Sequence, residues 1–149
     1  MNNLSVARKP HILLFVSPHD EDHRALIHIL RPVGWCLDSA YSCAEAIKSL
    51  QTEPASVVIV ERDLPDGSWR TLHNRLIQMP FPPTLVATSR LADERLWVEV
   101  VNLGGFDVLA QPFYAREVLR SVNAACSRWD EEWRKAHSEI EQAACCAPA

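Results

Sequence analysis

Val57-Val58-Ile59-Val60-Glu61-Arg62-Asp63-Leu64-Pro65-Asp66-Gly67 decides the architecture of this chain. Its first four residues are β-branched and apolar on both faces, the pattern of a central strand in a parallel sheet covered on both sides. Glu61 closes the run. Pro65 and Gly67 then break the strand and allow a turn into a helix. In open α/β sheets, binding and chemistry sit outside the carboxyl ends of the strands. Glu61 therefore stands where a reactive group would be kept.

The flanking segments repeat this grammar. Upstream, residues 1–9 are polar and expected to be loose, and residues 12–16 form a second continuous apolar run. Ser17-Pro18-His19-Asp20 turns into a helix carrying Ala25, Leu26, Ile29 and Leu30 on one stripe, ended by Pro32 and Gly34. Residues 35–41 read as a short strand, and Ser42 or Cys43 opens a helix through Ala46, Ile47 and Leu50. Downstream, Trp69, Leu72, Leu76 and Ile77 mark a third helix, and residues 84–88 a fourth strand. Leu96, Val100 and Leu103 form the core stripe of a fourth helix, stopped by Gly104-Gly105. Residues 106–110 make a fifth strand, and a last helix begins near Tyr114 or Ala115. Five β/α units predict a doubly wound five-stranded parallel sheet, (βα)5, with helices on both faces. Neither a GxGxxG nor a P-loop follows the first strand, which removes support for nucleotide binding.

The 149 residues are enough for one domain with a real core, and 48% hydrophobic with 23% charged residues is ordinary for a globular chain. A net charge of −4 argues against a general binder of nucleic acid or anionic membrane. No apolar run approaches a membrane span, and the first nine residues lack the apolar centre of a signal peptide, so a cytoplasmic location is expected. Five cysteines without zinc-type spacing suit a reducing compartment. Cys36, Cys43 and Cys126 are expected in the core, and Cys145-Cys146 in a frayed tail. His19 and His23 are four apart, as zinc ligands can be, but a solvated first turn is the simpler reading. Ser17 and His19 lack the nucleophile elbow of a hydrolase.

The order of elements, with Pro65 after Glu61, Thr88-Ser89, Leu103-Gly104-Gly105 and Gln111-Pro112-Phe113, resembles the receiver domain of response regulators, the phosphoacceptor module of two-component signalling. The resemblance covers about residues 10–128 and implies a flavodoxin-like fold. It also implies roles that this sequence no longer fills. Receiver domains hold Mg²⁺ with an acidic pair after the first strand, where this chain has Ser17 and Pro18. The phosphoacceptor aspartate matches Glu61, the switch hydroxyl Thr88, the switch aromatic Val108 and the lysine before Pro-Phe Gln111. Mg²⁺ wants octahedral oxygen ligands with carboxylate charge. Without it, phosphoryl transfer loses the cation that neutralises developing charge. Gln111 donates hydrogen bonds but no charge, and Glu61 carries one methylene more than the positioning of the aspartate allows.

The expectation is thus a degenerate receiver, a phosphorylation-independent signalling or interaction module rather than an enzyme, binding Mg²⁺ weakly or not at all and needing no other cofactor. Glu61 either mimics phosphoaspartate by reaching toward Thr88, or is a solvated strand-end residue whose chemistry is lost. The alternative is a working phosphoacceptor of a phosphorelay that uses Glu61, Asp63, Asp66 or a remodelled Asp20-Glu21 site. The output is expected through protein contact, with neither nucleic acid nor membrane as partner. Trp97 and Val101 widen the apolar arc of the fourth helix beyond what one sheet face needs. In the last helix, Leu119, Val122, Cys126, Trp129, Trp133, Ala136 and Ile140 make a heptad-like seam. Residues 129–149 exceed what a receiver domain needs and read as a helical extension with a frayed tail. Trp129 and Trp133 should therefore pack on something, and a homodimer through this helix is the favoured form.

Overall fold

The computed structural model describes residues 11–145, and their side chains through Glu139. Strands β1 (Ile12–Val16), β2 (Cys36–Ala40), β3 (Val57–Glu61), β4 (Thr84–Ser89) and β5 (Asp107–Ala110) form one sheet in the order β2-β1-β3-β4-β5. Every neighbouring pair is parallel. Helices α1 (Asp20–Leu30), α2 (Cys43–Thr52), α3 (Trp69–Leu76), α4 (Glu94–Asn102) and α5 (Ala115–Cys145) alternate with the strands. This is the flavodoxin-like (βα)5 fold. A two-residue ribbon, Asp63–Leu64 against Gly67–Ser68, shapes the turn after β3.

Strand alternation divides the core in two, because successive side chains point to opposite faces. Leu13, Phe15, Val57, Ile59, Val86 and Leu109 meet α1 and α5 through Leu26, Leu30, Val118 and Val122. Leu14, Val16, Val58, Val60, Leu85 and Ala87 meet α2, α3 and α4 through Ala46, Leu50, Trp69, Leu72, Leu96 and Val100. Caps set the helix starts. The Ser42 side chain accepts from Glu45 N–H, Ser68 from Arg70 N–H and Asp93 from Leu96 N–H.

Three expected positions differ. Cys36 is exposed, because β2 is an edge strand and Cys36 lies at its start; Cys43 and Cys126 are buried as expected. Burial pushes the Cys126 thiol up to about 12 and raises that of Cys43, so neither supplies a ready thiolate. Leu103 is not in the core stripe of α4. It is the C-cap, half-exposed, and the stripe ends at Val100. Ile77 likewise caps α3 and points outward. Cys145-Cys146 and the Ile140 side chain lie outside the described side chains.

Helix α5 has 31 residues, about 46 Å at ~1.5 Å per residue. Its first turn beyond Arg128 packs on the amino end of the sheet. Trp129 meets the rings of His11 and Phe81 edge-on. His11 Nε2 lies 3.2 Å from Asp130 Oδ2, and its Nδ1 lies 3.0 Å from Ser56 Oγ. His11 thus ties the helix to the loop before β3. One turn further, Trp133 is 40% exposed and stacks on His137.

Candidate functional site

Three positions predicted to matter share one face of the sheet. Glu61 is two residues past Ile59, Thr88 two past Val86 and Gln111 two past Leu109, and those three apolar residues all face α1 and α5. Glu61 and Thr88 are register partners on β3 and β4. Glu61 is only 8% exposed, so it is not a solvated strand-end residue. Nor does its carboxylate bond Thr88. Glu61 Oε2 accepts from Gln111 Nε2 at 2.9 Å, whereas Thr88 Oγ1, fully buried, has no hydrogen-bond partner among the described residues. The longer glutamate side chain reaches past its register neighbour to the amide beyond β5.

Gln111 turns its amide nitrogen toward two acids, with Asp22 Oδ2 3.4 Å from the same Nε2. That orientation follows from the chemistry, since a carbonyl facing two carboxylates would be repulsive. The buried Oε1 has no partner among the described residues. Asp22 also accepts from Arg90 Nη2 at 3.2 Å through its other oxygen. Burial raises the Glu61 pKa above its ordinary value. The Gln111 hydrogen bond opposes this, Asp22 adds to it, and His19 and Arg90 work against it.

Asp22 went unnoticed in the sequence, where Asp20 and Glu21 drew attention instead. Both of those line the rim of the cleft, while Asp22 is buried. The signal was present: Asp22, Leu26 and Leu30 fall at i, i+4 and i+8, so Asp22 continues the buried stripe of α1. Ser17 is fully buried, and its hydroxyl accepts from His19 N–H at 3.1 Å. Its carbonyl accepts from His23 Nε2 at 2.8 Å, so His23 is a buried structural group and does not pair with the exposed His19. Pro18 lines an open cleft of about 640 Å³ above the strand ends, together with His19, Glu61, Asp63 and Arg90. Asp66 is also committed. Its two oxygens accept from Cys43 N–H at 2.9 Å and Ala44 N–H at 3.0 Å, docking the loop after β3 on the start of α2. Those bonds hold its pKa below the ordinary value. Val108 is partly buried against the α2–α4 side of the core, on the opposite face from Thr88.

These residues do not fit Mg²⁺. Both Asp22 oxygens and one Glu61 oxygen are already engaged, and Ser17 and Pro18 bring no charge. No group of three or more His, Cys, Asp or Glu among the described residues is placed to hold a metal. The apolar positions outside the site are open. Trp97 is 47% exposed, with Val98, Val101 and Leu91 exposed nearby.

No family model matches the chain. It is 32% identical over 122 residues, 78% of its length, to the transcriptional regulatory protein GltR of Pseudomonas aeruginosa, and covers 49% of that protein. It is 26% identical over 114 residues to the C4-dicarboxylate transport transcriptional regulatory protein DctD of Rhizobium meliloti, covering 25% of it. The chain thus spans half or less of the length of these curated relatives. Among solved structures, the signal receiver domain of an HD domain-containing protein from Pseudomonas fluorescens superposes with a TM-score of 0.79 at 24% identity, over 90% of this chain and 98% of that one. Described residues include no helix long and apolar enough to cross a membrane. Sheet order, helix placement and these matches agree: the chain has the receiver-domain fold of response regulators.

Proposed function

We propose that this chain is a receiver module that signals without phosphorylation, through contact with another protein. One observation carries the reading. The residue at the phosphoacceptor position, Glu61, is buried and already hydrogen-bonded by Gln111, which stands at the position of the family lysine. A phosphodonor would have to displace that bond and approach a buried carboxylate, and do so without a divalent ion. The acceptor position is therefore already occupied by a contact from within the chain. Asp66, one of the alternative acceptors, is held by two backbone N–H groups and is a poor nucleophile for the same reason.

The exposed Trp97, Val98 and Val101 of α4 are the contact surface in this reading, since aromatic anchors dominate protein interfaces. Residues 10–128 form the receiver unit and residues 129–149 its extension. The exposed Trp133 makes that extension a pairing surface for a second copy. The reading places the protein in the cytoplasm and leaves nucleic acid and membrane out of its contacts.

A specific observation keeps one other reading in view. Thr88 Oγ1 is buried without a partner among the described residues, as a switch hydroxyl would be before a phosphoryl group arrives. Beryllofluoride, a phosphoryl analogue, separates the two when added with Mg²⁺ to the ¹⁵N-labelled protein. The proposal expects the Thr88 and Glu61 amide signals to stay in place. Saturable shifts at both would support a working acceptor instead.

A further inference from the structure

The geometry points to Arg90 as the resident cation of this site, a guanidinium standing in from within the chain for the divalent ion that two clustered carboxylates would otherwise attract. This rests on the phosphate-independent reading and deepens it by saying what holds the acids together. Asp22 is only 10% exposed at its side chain, and Glu61 is buried beside it. Two such acids bridged by one neutral amide leave negative charge uncompensated, and buried charge is retained where it is paired. Arg90 supplies the pairing. It follows β4 directly, and its Nη2 lies 3.2 Å from Asp22 Oδ1. The turn that carries it is fixed, because Ser89 Oγ accepts from Leu91 N–H at 3.1 Å. A guanidinium stays charged at all working pH values and carries its donors in a planar fork.

Two consequences follow. Metal is excluded by charge and by ligand occupancy at once. The loop between β4 and α4 is also tied to α1, so that Leu91 and the α4 surface beyond it hold one position without a ligand. In this account Arg90 is a positioning residue.

The test uses the full ¹⁵N-labelled chain and Mn²⁺ as a paramagnetic probe that prefers oxygen ligands, with no phosphodonor present. Wild type should show no saturable broadening of the Asp22, Glu61 and Arg62 amide signals. Arg90→Gln, neutral at a mostly exposed position where the fold should persist, should gain it, at least about tenfold tighter than any residual wild-type binding, and Mg²⁺ should reverse it. Arg90→Lys keeps the charge and should behave as wild type. Broadening in wild type or in Arg90→Lys equal to that in Arg90→Gln overturns the assignment, as does its absence in Arg90→Gln. Intact mass after acetyl phosphate treatment reads the functional proposal separately. An added phosphoryl group would remove that proposal whatever the Mn²⁺ titration shows.

Discussion

Thr88→Val should make this protein more stable. Thr88 is fully buried on β4, and its hydroxyl has no partner among the described residues. Burying a hydroxyl unpaired is unfavourable by about 1–3 kcal/mol on protein mutational scales. Valine replaces that hydroxyl with a methyl group of nearly the same shape. Both residues are β-branched, so strand propensity and χ1 freedom change little. Some of the gain is lost in fitting the slightly larger methyl group, and we expect a net stabilisation of about 1–2 kcal/mol. For a domain of this size that is a rise in Tm of roughly 2–8 °C. Urea unfolding at neutral pH, read by tryptophan fluorescence and far-UV circular dichroism, measures it directly, with an unchanged m-value confirming the same two-state transition. A loss of more than about 0.5 kcal/mol would refute the reasoning, because it would mean that the hydroxyl is hydrogen-bonded in solution. Glu61 would then be the first partner to examine, and its bond to Gln111 would no longer describe the site.

Three other outcomes are expected. Burial raises the folded-state pKa of Glu61, so the stability tied to its protonated form is complete below the ordinary glutamate range and is lost as pH rises through the folded value. Glu61→Gln should therefore melt above wild type at neutral pH and converge with it in acid, which thermal melts across pH will show. Asp66→Ala removes the acceptor of two N–H groups at the start of α2 and should destabilise by about 1 kcal/mol. Because bonding depresses the Asp66 pKa, that difference from wild type should shrink as pH falls through its folded value. Trp133→Glu places a charge on the exposed part of the α5 seam; light scattering should report a dimer for the full chain and a monomer for the variant.

The strands were legible because buried parallel strands carry continuous apolar runs, and residues 12–16 and 57–60 are too short for a helix and bounded by turn residues. Cys36 and Leu103 misled for opposite reasons. Cys36 sits in an apolar-looking stretch that becomes a sheet edge, which depends on strand order rather than on local pattern. Leu103 has the right spacing for a core stripe, but the helix ends beneath it. The site was legible only as positions. Glu61 follows from its strand end and the turn after it, and Thr88 and Gln111 from the resemblance to receiver domains, whereas the bond from Gln111 to Glu61 spans 50 residues and joins the ends of two non-adjacent strands. Asp66 reads as a turn residue because its partners are backbone N–H groups of a distant helix, which leave no mark in the sequence. Trp129 was expected to need cover, and the chain supplies some from Phe81 and His11, two residues that attract no notice on their own.

The central claim is that the carboxyl end of this sheet is chemically closed to phosphate. Its most direct test is the intact mass of the full chain after incubation with acetyl phosphate and Mg²⁺, compared with an untreated sample. The account predicts identical masses. An increment of one phosphoryl group on Glu61, or on any acid lining the cleft, would contradict it.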